Sequence, residues 1–146
     1  VAGAMGNWFS GLLVDLLYRK GHWELSRRVP AIMGFLLAAI GMTVGLHMTS
    51  VVLAVFFLSI AIFGADMTLS PSWSFCIDIG KTHAGAVSGT MNMAGNVGSF
   101  ITALAFPYLQ AAFDGSVTPF FYTAAGLNGF AIICWLWMNP KRALED

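Results

Sequence analysis

Charge-free runs constrain this chain more than any other feature. No Asp, Glu, Lys or Arg occurs between Arg28 and Asp66, between Lys81 and Asp114, or between Asp114 and Lys141. A bilayer core of roughly 30 Å is crossed by about 20 helical residues, and every one of these runs is longer than that. The first contains a polar break, His47-Met48-Thr49-Ser50, and divides into two. The pattern predicts an all-α membrane protein with helices near 30–47, 51–75, 84–112 and 118–138. Residues 1–17, VAGAMGNWFSGLLVDLL, read as the remaining part of a preceding span, 18–29 as a loop and 139–146 as a tail.

Composition excludes the main alternatives. Of 146 residues, 58% are hydrophobic and 10% charged, against roughly 45–50% and about 25% in soluble domains. Mean hydropathy is +0.75. Seven basic residues balance seven acidic ones, so the basic excess that nucleic acid requires is missing. Cys76 and Cys134 have neither metal nor redox spacing, and His22, His47 and His83 are far apart, so no metal site is expected. No His stands at a helical spacing from Ser70 or Ser88 to act as a base, which argues against an enzyme. The chain opens on Val1 without a charged leader and is expected to be a piece of something longer.

The basic residues test the span count. Arg19, Lys20, Arg27 and Arg28 precede the first full span, Lys81 follows the second, and Lys141 and Arg142 follow the fourth. An even number of crossings returns the chain to one side, so all seven fall on one face. Short cytoplasmic loops are enriched in Lys and Arg, which makes 18–29, 76–83 and the tail the expected cytoplasmic segments.

Three segments carry polar groups that lipid alone does not explain. Gly11, Asp15 and Arg19 recur at i, i+4 and i+8 on one face of the helix entering the first loop. Asp15 there can cap a neighbouring helix or pair with Arg, or simply belong to a charged juxtamembrane loop. Asp66 lies roughly 24 Å from Ser50 and about 18 Å from Asp78 at 1.5 Å per residue, inside the hydrocarbon core. A carboxylate at that depth costs about 2.5–3.5 kcal/mol, so Asp66 serves either substrate gating and cation coupling or an inter-helix hydrogen bond. Ser59, Asp66, Ser70 and Trp73 share a helical face, and Pro71 frees the carbonyl of Met67, predicting a kink. Asp78, close to Lys81, is expected to meet the loop or a helix N-terminus. In 83–110, Ser88, Asn92 and Asn96 form a row that Ser99 extends, among Gly85, Gly89, Gly95 and Gly98. Such glycines predict tight helix packing, and the asparagines must face protein or a cavity. In the last span Asn128 is expected to pair with a neighbouring helix, and Trp135 and Trp137 to form an interfacial belt.

The loop spacing resembles the G-x-x-x-D-(x)-R-(R/K)-G motif of the major facilitator superfamily, although Leu16 to Tyr18 separate Asp15 from Arg19 here. S-P-S-W followed by SGTMNMAGNVGSF resembles the anion:cation symporter group of that superfamily, which includes sugar-acid permeases. The resemblance covers essentially the whole chain and implies part of a six-helix C-terminal bundle, from late in helix 8 through helix 12. It implies Ser70, Trp73 and Asn92 as substrate-binding residues, with Asn96 beside them, and Gly11, Asp15 and Arg19 as a structural loop motif. Asp66 matches no functional position of the family and is a candidate for coupling or gating.

By the same resemblance the whole protein moves a small organic anion, a sugar acid such as hexuronate, glucarate or galactonate, by H⁺ or Na⁺ symport and alternating access. No cofactor is implied. The implied setting is a bacterial inner membrane, with the lipid bilayer, the missing N-terminal six-helix half and the organic anion as partners. Every basic residue lies at the cytoplasmic surface, so the cation that holds the substrate's carboxylate belongs to that half, and the fragment alone is expected to transport nothing. The alternative is a small self-contained membrane scaffold or assembly subunit held by its glycine faces. Coding sequence upstream of Val1 discriminates: seven further hydrophobic spans are expected for the transporter, and an immediate start codon for the scaffold.

Overall fold

In a membrane the backbone has no water to bond, so each apolar run closes its hydrogen bonds within itself as a helix. The computed structural model describes residues 1–140, and all the regular structure among them is helical. The elements are α1 (Ala2–Arg19), α2 (Trp23–Leu46), α3 (Val51–Met67), α4 (Leu69–Gly80), α5 (Ala84–Ala112) and α6 (Thr118–Trp137), with one 3-10 turn at Lys81–His83. Trp23–Leu46, the run Val51–Ala112 and Thr118–Trp137 are long and apolar enough to cross a membrane. The chain is an all-α membrane protein. Of the tail expected over 139–146, residues Lys141, Arg142, Glu145 and Asp146 lie outside the described residues.

Two boundaries differ from expectation, each for a local reason. The helix expected from residue 30 begins at Trp23, so Pro30 lies inside it. The charged turn Glu24–Arg28 is not left to lipid: Arg27 pairs with Asp78 at 2.7 Å, and Arg28 donates to the carbonyl of Met138 at 3.0 and 2.6 Å. With its charges satisfied, the helix extends beyond the apolar stretch. The helix expected over 51–75 is two helices, broken at Thr68 and continued to Gly80. Pro71 has no N–H for the Met67 carbonyl, and the backbone tightens just before it. The Thr68 amide bonds the Ala65 carbonyl at 3.2 Å, and the Thr68 hydroxyl bonds the same oxygen at 2.7 Å.

The core is built on small residues. An added Cβ at Gly34 would lie 2.6 Å from the Gly64 carbonyl oxygen, and one at Gly64 would lie 2.6 Å from that of Gly34. A Cβ at Gly41 would lie 2.7 Å from the backbone of Phe57 and Ala61. On α1, Gly3 and Gly6 meet Asp66 and the Phe63 backbone of α3 in the same way. The tight packing predicted at Gly85, Gly89, Gly95 and Gly98 is not made within the described residues: nothing lies within 4 Å of a Cβ at any of them. α5 rests mainly against α4, and Gly95 borders the open cleft between them rather than a close backbone contact. Lipid gives apolar side chains no reason to cluster, so close backbone approach is what holds α1, α2 and α3 together.

Polar contacts fix the two ends. At one end Asp78 accepts from Arg27 and from the indole of Trp23 at 3.1 Å, and Arg27 lies 5.5 Å from the centre of the Tyr18 ring. Asp78 thus meets the loop segment, as its position suggests. These contacts, with Arg28 on Met138, gather the start of α2 and the ends of α4 and α6, so Arg19, Lys20, Arg27, Arg28 and Lys81 share one end of the bundle. At the other end His47 Nε2 and the Tyr122 hydroxyl are 2.9 Å apart. Trp135 is a correction: it is buried, with its ring edge-on to Phe75 at 5.7 Å and packed with Ala31, and Trp137 alone of the expected pair is exposed. Asn128 is another, since its amide donates to Ala124 of its own helix at 2.8 Å.

Replacing Gly64 by Leu is expected to cost at least the roughly 1–3 kcal/mol of an overpacked core. Gly98→Leu, in open space, should leave the thermal transition of the detergent-solubilised chain within about a degree of the parent. Equal transitions for the two variants would rule out the close α2–α3 contact.

Candidate functional site

Beyond Thr68 the residues of the polar stripe lie on α4. α4 runs back toward the basic end with α5 antiparallel beside it, and Cys76 Sγ lies 3.4 Å from Met91 Sδ. Above that contact is a cleft of about 380 Å³ lined by Ser72, Trp73, Met91, Asn92, Asn96 and Ser99 among others. Trp73, Asn92 and Asn96, three of the expected substrate-binding residues, come together here. Trp73 is 43% exposed and forms one wall. Its indole is a flat apolar face with one N–H, suited to the C–H side of a polar ligand.

Hydrogen bonds set what the cleft presents. Asn96 Nδ2 donates to Asn92 Oδ1 at 3.3 Å, one helical turn apart. The Ser72 hydroxyl donates to the Thr68 carbonyl at 2.7 Å, and the Ser99 hydroxyl to the Gly95 carbonyl at 3.0 Å. Neither Lys, Arg, Asp nor Glu lines the cleft. It is therefore neutral, with amide donors at Asn92 and hydroxyl lone pairs at both serines.

Ser70 belongs to a second cleft. It stands with Asn7, Trp8, Gly11 and Leu12 between α1 and α4, about 530 Å³ in volume. A Cβ at Gly11 would lie 3.7 Å from the Ser70 hydroxyl, an ordinary contact. Ser70 and Trp73, one turn apart on α4, thus border different clefts, one against α1 and one against α5. Asp66 sits higher, against Gly3 of α1, whose lack of a side chain makes room for the carboxylate. It is partly buried and has no hydrogen bond or ion pair among the described residues. Asp15 and Arg19 of the loop motif are exposed, and no helix among those described takes a side-chain cap from Asp15.

Ser72 escaped the sequence reading. Its signal was present, because Thr68 to Ser72 is an i, i+4 step that predicts a back-bonded hydroxyl. Which helix faces that side of α4 depended on the packing of α5 against it.

Proteins of known naming resemble the chain. It is 28% identical over 147 aligned positions, its whole length, to a probable sulfoacetate transporter of Cupriavidus necator. It is 31% identical to a probable galactarate/D-glucarate transporter of Bacillus subtilis and 27% to one of Escherichia coli, over 91% and 80% of this chain. The aligned parts are 34%, 29% and 27% of those proteins, so the chain spans about a third of the length of the curated relatives it matches. These relatives are named as transporters, not enzymes. No protein-family model and no solved structure matches the chain.

The two acids of α3 and α4 should behave oppositely in stability measurements. Asp78→Asn removes the charge that Arg27 pairs with, at 10% and 14% side-chain exposure. It is expected to cost on the order of 3 kcal/mol, seen as a lower unfolding transition in detergent. Asp66→Asn breaks no contact and should unfold with the parent. A comparable loss at Asp66 would mark it as a structural group.

Proposed function

We propose that the chain is the C-terminal portion of a secondary active transporter of the major facilitator type, carrying a small organic anion by cation symport. The observation that carries this reading is the neutral α4–α5 cleft, which joins Trp73, Asn92 and Asn96, on a chain whose relatives are named as transporters of small organic acids. Galactarate, D-glucarate and sulfoacetate are all short carbon chains with an acidic group at each end, and a sugar acid of the hexuronate, glucarate or galactonate kind is the proposed cargo. An organic anion needs a fixed positive charge, and the described basic residues stand at one end of the bundle, remote from the cleft. We assign that charge to a preceding six-helix half. The clefts on either side of α4 then face a path between the two halves, where rocking of one half on the other gives alternating access.

In this reading the basic end is cytoplasmic in a bacterial inner membrane, and the His47–Tyr122 end faces outward. Asn92 and Asn96 hold the cargo by hydrogen bonds, Trp73 packs on its carbon chain, and Ser70 lines the neighbouring cleft. Asp66 is the coupling or gating acid, for H⁺ or Na⁺, since a carboxylate held at depth without a basic neighbour is free to serve an ion that crosses. The exposed α5 glycines take the packing that the described residues do not supply.

Uptake of labelled galactarate by cells carrying the full coding sequence tests the site. Asn92→Ala and Trp73→Ala should each lower kcat/KM for uptake about tenfold, equivalent to about 1.4 kcal/mol, at unchanged membrane abundance. Unchanged uptake in both variants would remove the cleft from the substrate path.

A further inference from the structure

We infer that Ser72 and Ser99 are specificity-determining residues that make the α4–α5 cleft select hydroxyl-bearing acids over acids with a bare carbon chain. The inference rests on the transporter reading above and adds the group that the cleft recognises. Each serine has one hydrogen to donate, and each gives it to its own helix: Ser72 to the Thr68 carbonyl at 2.7 Å, Ser99 to the Gly95 carbonyl at 3.0 Å. What remains toward the cleft is lone pairs. The two serines lie on facing helices and line the same cleft as Asn92 and Asn96. Because Asn96 Nδ2 bonds Asn92 Oδ1, the amide hydrogens of Asn92 and the carbonyl oxygen of Asn96 are left for a ligand.

The cleft therefore offers acceptors at Ser72, Ser99 and Asn96, and donors chiefly at Asn92. A carboxylate or sulfonate only accepts hydrogen bonds, so it matches Asn92 and meets the other three lone pair to lone pair. A hydroxyl donates and accepts at once. A row of hydroxyls on a carbon chain can donate to the two serines and Asn96 while accepting from Asn92, with the C–H face of the chain against Trp73. A chain of methylenes fills the same volume and leaves these acceptors desolvated and unpaired. Sites built to bond a substrate hydroxyl reject the analogue that lacks it for this reason. The acidic ends of the cargo then lie outside the cleft, toward the positive charge assigned to the other half.

Galactarate and adipate make the matched comparison, being six-carbon diacids that differ only in the four hydroxyls. Uptake of both labelled acids is measured in cells carrying the full coding sequence, with membrane abundance followed in parallel. The parent should take up galactarate with kcat/KM at least tenfold above adipate. Ser72→Ala with Ser99→Ala should lower galactarate uptake about tenfold and change adipate uptake less than twofold, and Ser72→Thr with Ser99→Thr should restore most of the preference. Equal uptake of the two acids by the parent overturns the inference while the transporter reading stands. So does a double alanine variant that loses both acids in proportion, which would mark the serines as structural. Uptake of neither acid by the parent overturns this inference, and if labelled sulfoacetate, hexuronate and galactonate are not taken up either, the transporter reading falls with it.

Discussion

Backbone contact between α2 and α3 is the constraint on which the rest of the bundle depends. Gly34 and Gly64 bring the two helices so close that neither position has room for a methyl group. In lipid, apolar side chains gain nothing by leaving their surroundings, so dispersion between closely approaching backbones takes the role that the hydrophobic effect has in water. α1 docks on the same helix through Gly3 and Gly6, and α3 thereby becomes the strut that places everything after it. The ion pair of Arg27 with Asp78 and the bond from Arg28 to Met138 then tie α4 and α6 to the start of α2.

The packing of α4 between α1 and α5 turns this frame into a candidate site. Asp66, Ser70 and Trp73 recur along one stretch of sequence but meet different neighbours: Gly3 of α1, the α1–α4 cleft and the α4–α5 cleft. Pro71 withdraws a backbone donor and the chain tightens a turn earlier, at Thr68, before continuing as α4. Ser70 opens toward α1, and Trp73 with Ser72 opens toward α5. Asp66 stays with α3, above both clefts and against Gly3. Irregular backbone at membrane depth is tolerated where protein or a water-filled cavity adjoins it, and here clefts adjoin it on two sides.

Much of the architecture was legible before any coordinates. Charge-free runs and polar breaks located the helices, and the need to satisfy intramembrane polar groups singled out Asp66, Asn92 and Asn96. The errors have a common cause. The nearness of Trp135 to the basic tail predicts an interfacial anchor, yet Phe75 and Ala31 enclose it. The glycines of α5 looked like the packing face because they are dense, whereas the close contacts are at Gly3, Gly6, Gly34, Gly41 and Gly64. Periodicity shows which residues share a face of one helix. It does not show which other helix, if any, that face meets.

By itself the sequence determined that the chain is helical and membrane-embedded, because desolvating a charge or a bare backbone costs more than local structure can recover. Those penalties depend on residue type and run length alone. The tertiary structure decided which small residues touch, which acid is paired and which is left without a partner, and which polar groups of α4 and α5 share a cleft. Each of these depends on the rotation and tilt of one helix against another.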